Sequence, residues 1–179
     1  YCRGFGVQSP SAYRFIRYVI NEHYPYYAYD ELRKDLPRLD SLTRKRMELY
    51  FRIANFRQAS LWIDYCRRDD NIATYVQRGC QATRVMNICD SKHVIDNSKI
   101  EVLRICPIDG CDTILDVALK HVDDCTLFII EDIGYNDTAK RLWQTLHESN
   151  LTSVSYDLYY LGIAFFDLKR FKNNYIVNF

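Results

Sequence analysis

The chain has 179 residues, of which 48% are apolar and 26% charged, with a formal net charge of +1. A length of this order suits one domain with a core large enough to need no disulfides. Near-neutrality gives no general pull toward nucleic acid or an anionic membrane, and nothing approaches the roughly 18 continuous apolar residues of a membrane span.

Ser9-Pro10 places a hydroxyl at a helix N-cap and proline at the first helical position, where its missing N–H costs nothing. Tyr13, Ile16, Val19 and Ile20 follow at helical spacing, so residues 10–22 are expected to form an amphipathic helix. A short helix over 29–35 stops before Pro37. A longer one starts at Ser41, with Leu42, Leu49, Ile53 and Phe56 on one side and Arg44, Lys45, Arg52 and Arg57 on the other. From residue 60 short apolar strands alternate with helices. Strands are expected over 61–65, 85–89, 100–106 and 126–133, and helices over 71–78, 113–122 and 140–149. Three β-rich pieces near 152–158, 161–167 and 174–179 close the chain, with a turn at Tyr159-Tyr160. This alternation implies right-handed crossovers and a mainly parallel sheet, with an antiparallel hairpin at its end. The expected architecture is a single α/β domain over 1–179, with a helical cap (1–58) and an α/β core (59–179).

Residues 1–58 carry 11 Lys/Arg against 6 Asp/Glu, and residues 100–179 carry 7 against 12. Such a tilt reads as solvated faces rather than a polyanion site. The seven cysteines, Cys2, Cys66, Cys80, Cys89, Cys106, Cys111 and Cys125, are odd in number, and several sit inside apolar runs. With no secretory signal recognised ahead of them, they lead us to expect reduced, mostly buried thiols in a cytoplasmic protein. No Cys-x-x-Cys pair is present to suggest zinc.

The opening Gly4-Phe5-Gly6-Val7-Gln8-Ser9-Pro10-Ser11-Ala12-Tyr13 resembles the start of a family of bacterial class I SAM-dependent methyltransferase-like proteins. Leu127-Phe128-Ile129-Ile130-Glu131-Asp132-Ile133-Gly134-Tyr135 resembles that family's apolar strand, acidic pair and aromatic turn. The stretch from Val154 to Phe166 is similar to its closing hairpin, and Asn174 to Phe179 to its last strand. The resemblance implies a Rossmann-type sheet with an antiparallel C-terminal hairpin, and a donor pocket at the carboxyl ends of the first strands. Pro107-Ile108-Asp109-Gly110 is similar to the end of the family's fourth strand, which leaves the sheet one strand–helix unit short.

The family's first strand ends in an acid and a glycine-rich turn, because the backbone must come close to the methionine and ribose parts of SAM. The corresponding stretch here is Asp64-Tyr65-Cys66-Arg67-Arg68-Asp69-Asp70-Asn71, with Cys66 and Asp70 in place of glycines. No glycine occurs between Gly6 and Gly79. The second strand should end in an acid for the ribose hydroxyls; Cys89 falls there, with Asp90 one residue on. Asp64, Cys66, Cys89 and Asp90 are therefore the candidate cofactor-binding residues.

Asp109, Glu131 and Asp132 fall at carboxyl ends of strands, the edge where open α/β sheets bind ligands, and are the candidate acid–base groups. Related O-methyltransferases hold magnesium with acids at similar places. The alternative is that Glu131 and Asp132 cap the next loop or helix, with Asp137 and Thr138 as a further N-cap, and no metal is expected. His23, His93, His121 and His147 have no carboxylate or nucleophile at a telling spacing. Tyr24, Tyr26, Tyr27 and Tyr29 suit either base stacking or packing of the cap, and packing is the reading preferred. The Arg67-Arg68-Asp69-Asp70 run reads as a self-paired turn rather than an anion loop.

Two functions are expected to compete. One is a non-catalytic binding or assembly protein that has lost standard SAM binding and works with a protein partner or as a homodimer. The other is a SAM-dependent O-methyltransferase acting on a small acceptor from a remodelled pocket. The missing glycine loop favours the first, which needs no cofactor, nucleic acid or membrane.

Overall fold

A computed structural model describes residues 7–67, 70–88 and 99–179. Ser9 Oγ accepts the Ala12 N–H at 3.4 Å and opens α1 (Pro10–Phe15), which runs on as a π-helical turn over Ile16–Ile20. The second helix, α2 (Tyr27–Asp35), begins two residues earlier than expected. The Asp40 carboxylate accepts the Leu42 and Thr43 N–H groups at 3.0 Å each and starts α3 (Ser41–Arg57). Gln58, left-handed at φ 49°, ends it.

The alternating part follows the expected rhythm: β1 (Leu61–Tyr65), α4 (Asp70–Gly79), β2 (Arg84–Asn87), β3 (Val102–Ile105), α5 (Cys111–Ala118), β4 (Leu127–Glu131), α6 (Asp137–Glu148), β5 (Val154–Asp157), β6 (Leu161–Phe165) and β7 (Asn173–Ile176). A 3-10 turn over Leu119–His121 extends α5. The last long helix starts at 137 rather than 140 because Asn136 Oδ1 accepts the Ala139 N–H at 3.1 Å. Asn136, and not an acid or Thr138, is thus its cap.

The seven strands form one sheet in the order β2-β1-β3-β4-β6-β5-β7. β1, β3 and β4 pair parallel, β6 runs antiparallel to both β4 and β5, and β7 returns parallel to β5. The architecture is α/β, a mostly parallel sheet carrying one antiparallel hairpin.

The described chain forms two compact units. One contains 7–60 and 70–85. In it Arg52, buried in α3, donates to the Val19 and Ile20 carbonyls at 2.6 and 3.2 Å, so carbonyls at the end of the π turn gain partners. Its third nitrogen meets the Tyr29 hydroxyl at 3.1 Å. Tyr26 and Tyr29 pack edge-on or tilted against each other and against Phe51, while Tyr24 and Tyr27 are exposed.

The other unit contains 61–67, 86–88 and 99–179. Ile63, Leu103, Ile105, Phe128 and Ile130 alternate onto one sheet face and pack with Ile114 and Leu115 of α5 and Leu142 and Leu146 of α6. Cys66 and Cys106 are joined by a disulfide, which corrects the expectation of reduced thiols for this pair. The register Tyr65↔Ile105 brings the next residues opposite each other, with Cα atoms 5.0 Å apart, within bonding reach. Cys80 and Cys111 are buried thiols and Cys125 is an exposed one. The bonded pair removes the cysteine argument for a reducing compartment.

Candidate functional site

Side chains on a strand alternate between faces, so residues two apart share one. Asp64 on β1 is in register with Arg104 on β3, which is in register with Ile129 on β4. Glu131, two residues past Ile129, joins them on the face opposite the α5–α6 core. Arg104 Nε donates to Glu131 Oε1 at 2.9 Å, and its Nη1 lies 3.2 Å from Asp64 Oδ1. Asn87 Nδ2 donates to Asp64 Oδ2 at 3.2 Å. All three charged residues are buried, with Asp64 fully so. One guanidinium between two buried carboxylates holds charge that none could bear alone in this setting.

The disulfide lies one pleat further along the same stripe. Cys66 and Cys106 each follow the ionic residue of their strand by two, and Arg104 Nη2 reaches Cys106 Sγ at 3.5 Å. The carboxyl ends of β1 and β3 are therefore cross-linked where a parallel sheet ordinarily opens to a ligand.

Of the residues expected to bind a cofactor, Asp64 is committed to this network and Cys66 to the disulfide. Cys89 and Asp90 lie outside the described residues. Of the expected acid–base groups, Glu131 belongs to the network. The other two sit in turns. The Asp109 carbonyl accepts the Tyr65 hydroxyl at 2.6 Å, and the following Gly110 (φ 86°) leads into α5; a Cβ there would lie 2.6 Å from that hydroxyl. Asp132 is left-handed at φ 58°, donates its N–H to the Tyr160 carbonyl at 2.7 Å, and accepts from Tyr135 and Asn136 at 3.0 Å each. Adjacent acids in the sequence thus part company, one into the sheet and one into a turn.

Arg104 itself carried a signal in the sequence. A single cation inside Val-Leu-Arg-Ile, a run otherwise fit for a doubly covered strand, requires a buried anionic partner.

A second feature lies at the far edge of the sheet. A cleft of about 480 Å³ runs between α6 and strands β5 and β7. Lys140, Trp143, Gln144 and His147 form its helical wall, and Ser155, Asp157, Asn174 and Ile176 its floor. The Trp143 ring lies over Gly162, where any Cβ would overlap it. The buried Ser155 hydroxyl donates to Asn174 Oδ1 at 2.7 Å and lies 3.2 Å from His147 Nδ1. This histidine–serine pair arises from helix–strand packing, and no short spacing in the sequence marks it.

Among the described residues, Asp123, Asp124 and Cys125 form a group whose ligand atoms lie within 4.8 Å of one another. Asp124 and Cys125 are exposed, and Asp123 pairs with Lys99 at 3.1 Å, so it reads as a solvated turn. No helix of the described residues is long and apolar enough to cross a membrane. Comparison of the chain with models of known protein families and with curated proteins gives no match.

Proposed function

We propose that this chain is a methyltransferase-like α/β protein that does not hold SAM at the carboxyl edge of its central strands and acts by binding, without catalysing methyl transfer. The segment resemblances and the parallel sheet with its terminal hairpin support the fold relationship. The observation that carries the functional reading is the buried Asp64–Arg104–Glu131 network, backed by the Cys66–Cys106 cross-link. A donor pocket at this edge would need a free acid and a backbone that a ligand can approach closely. Here Asp64 is ion-paired with Arg104 and accepts from Asn87, and cysteine stands where glycine would allow that approach.

Thermal melting in millimolar SAM or S-adenosylhomocysteine tests this. A ligand at a thousand times its Kd stabilises a folded protein by about 4 kcal/mol. The expected result is an unchanged melting temperature with both compounds. A rise of several degrees with either would reject the proposal.

A further inference from the structure

We propose that the cleft between α6, β5 and β7 is a binding site for a free aromatic α-amino acid whose ring donates a hydrogen bond. It adds a ligand class to the binding role proposed above, yet it rests on this cleft alone and is independent of the closed central edge. Its volume, about 480 Å³, falls within the range of small-molecule sites.

The direction of the elements orders the cleft. α6 runs back from the carboxyl ends of the strands, and His147 meets Ser155 on β5. Asp157, two strand residues on, lies roughly 7 Å further toward the carboxyl edge. Lys140, seven helical residues before His147, lies roughly 10 Å further in the same direction. One end of the cleft therefore carries Lys140 and Asp157, and the other the His147–Ser155–Asn174 chain.

Lys140 and Asp157 line the same cavity without an ion pair to each other or to any other described residue. One oxygen of Asp157 accepts the Tyr159 N–H at 2.8 Å, which leaves the other for a ligand. An unpaired cation and an unpaired anion on one cavity wall and floor complement a zwitterion: the ligand carboxylate meets Lys140 and its ammonium meets Asp157.

Between the two ends lies the Trp143 ring, packed on Gly162 and largely buried, whose accessible edge suits an edge-to-face contact with a second aromatic ring. At the far end the Ser155 proton goes to Asn174 Oδ1, so His147 Nδ1–H is the donor to Ser155. With Nδ1 carrying that proton, the neutral form of the ring offers Nε2 as an acceptor. An indole N–H or a phenol O–H satisfies it, and an unsubstituted phenyl ring does not.

Calorimetric titration with L-tryptophan is the test, with tryptamine, indole-3-propionate and L-phenylalanine as comparators. L-Tryptophan is expected to bind with Kd below about 1 mM, and each comparator about tenfold or more weakly. Lys140→Met should erase the preference over tryptamine, and Asp157→Asn the preference over indole-3-propionate, with melting temperatures unchanged. Absence of saturable heat from folded protein overturns the proposal, as does equal binding of all four compounds. So does tryptophan binding indifferent to both substitutions. Failure here with no SAM binding leaves the closed-edge reading standing; SAM binding alongside tryptophan binding overturns that reading and not this one.

Discussion

Arg104 on β3 reaches across the sheet to Glu131 at the end of β4, Nε to Oε1 at 2.9 Å, with both side chains buried. Removing one partner of such a pair strands an uncompensated charge, at a cost of about 3–5 kcal/mol. Arg104→Met would strand two, Glu131 and Asp64. We expect a loss at the upper end of that range, read as a lower urea midpoint. Adding Asp64→Asn and Glu131→Gln should restore part of it. Equal stability of Arg104→Met and the parent would refute the network's role.

The Cys66–Cys106 bond closes a loop of 40 residues. Chain-entropy arguments put its effect near 4 kcal/mol, and measured values commonly fall at about 2–4. Dithiothreitol, or the pair Cys66→Ser with Cys106→Ser, should lower the melting temperature accordingly. A non-reducing digest should yield the peptide that joins residues 66 and 106. Its absence from oxidised protein would remove the cross-link from the account.

Gly79 ends α4 where that helix meets α3, and an added Cβ would fall on the Phe51 carbonyl oxygen. A backbone atom cannot swing aside as a side chain does. Gly79→Ala should therefore destabilise the helical unit by about 1–3 kcal/mol, against the usual gain of alanine over glycine in a helix. Denaturant unfolding decides the sign.

Burial pushes the Tyr29 phenol up to about 12, although the neighbouring Arg52 guanidinium pulls it down. Burial likewise raises Tyr156, beside Tyr175. A neutral acid whose folded pKa exceeds the unfolded value binds its proton more tightly when folded. Its contribution is complete below about pH 10 and is lost as the pH rises through 12. Stability should fall over that window, and absorbance titration should show phenols that ionise late. Tyr29→Phe should flatten the fall. Ionisation of every tyrosine near pH 10 in still-folded protein would contradict this.

The strand–helix rhythm was legible because periodicity reports burial locally. β1 begins and ends as the apolar run Leu61–Tyr65 indicates, β5 and β6 fall inside the expected segments, and β7 starts one residue ahead of its own. The acids were harder to place. Glu131 and Asp132 look alike in sequence, yet one residue of strand alternation and a left-handed turn send them to different fates. The disulfide depends on the register of β1 against β3, a long-range pairing that spacing alone does not disclose. His147 and Ser155 were out of reach for the same reason, since their contact is made by packing α6 on the sheet. Arg104 shows the converse: a lone cation in an apolar strand was readable, and its partners were not.

The most direct measurement is calorimetric titration of the oxidised protein with S-adenosylhomocysteine, repeated after the Cys66–Cys106 bond is reduced. With Asp64, Arg104 and Glu131 joined across the central strands, the account predicts no saturable heat in either state. Micromolar binding, about −8 kcal/mol, that is lost on Asp64→Ala would show a working donor pocket at that edge and contradict it.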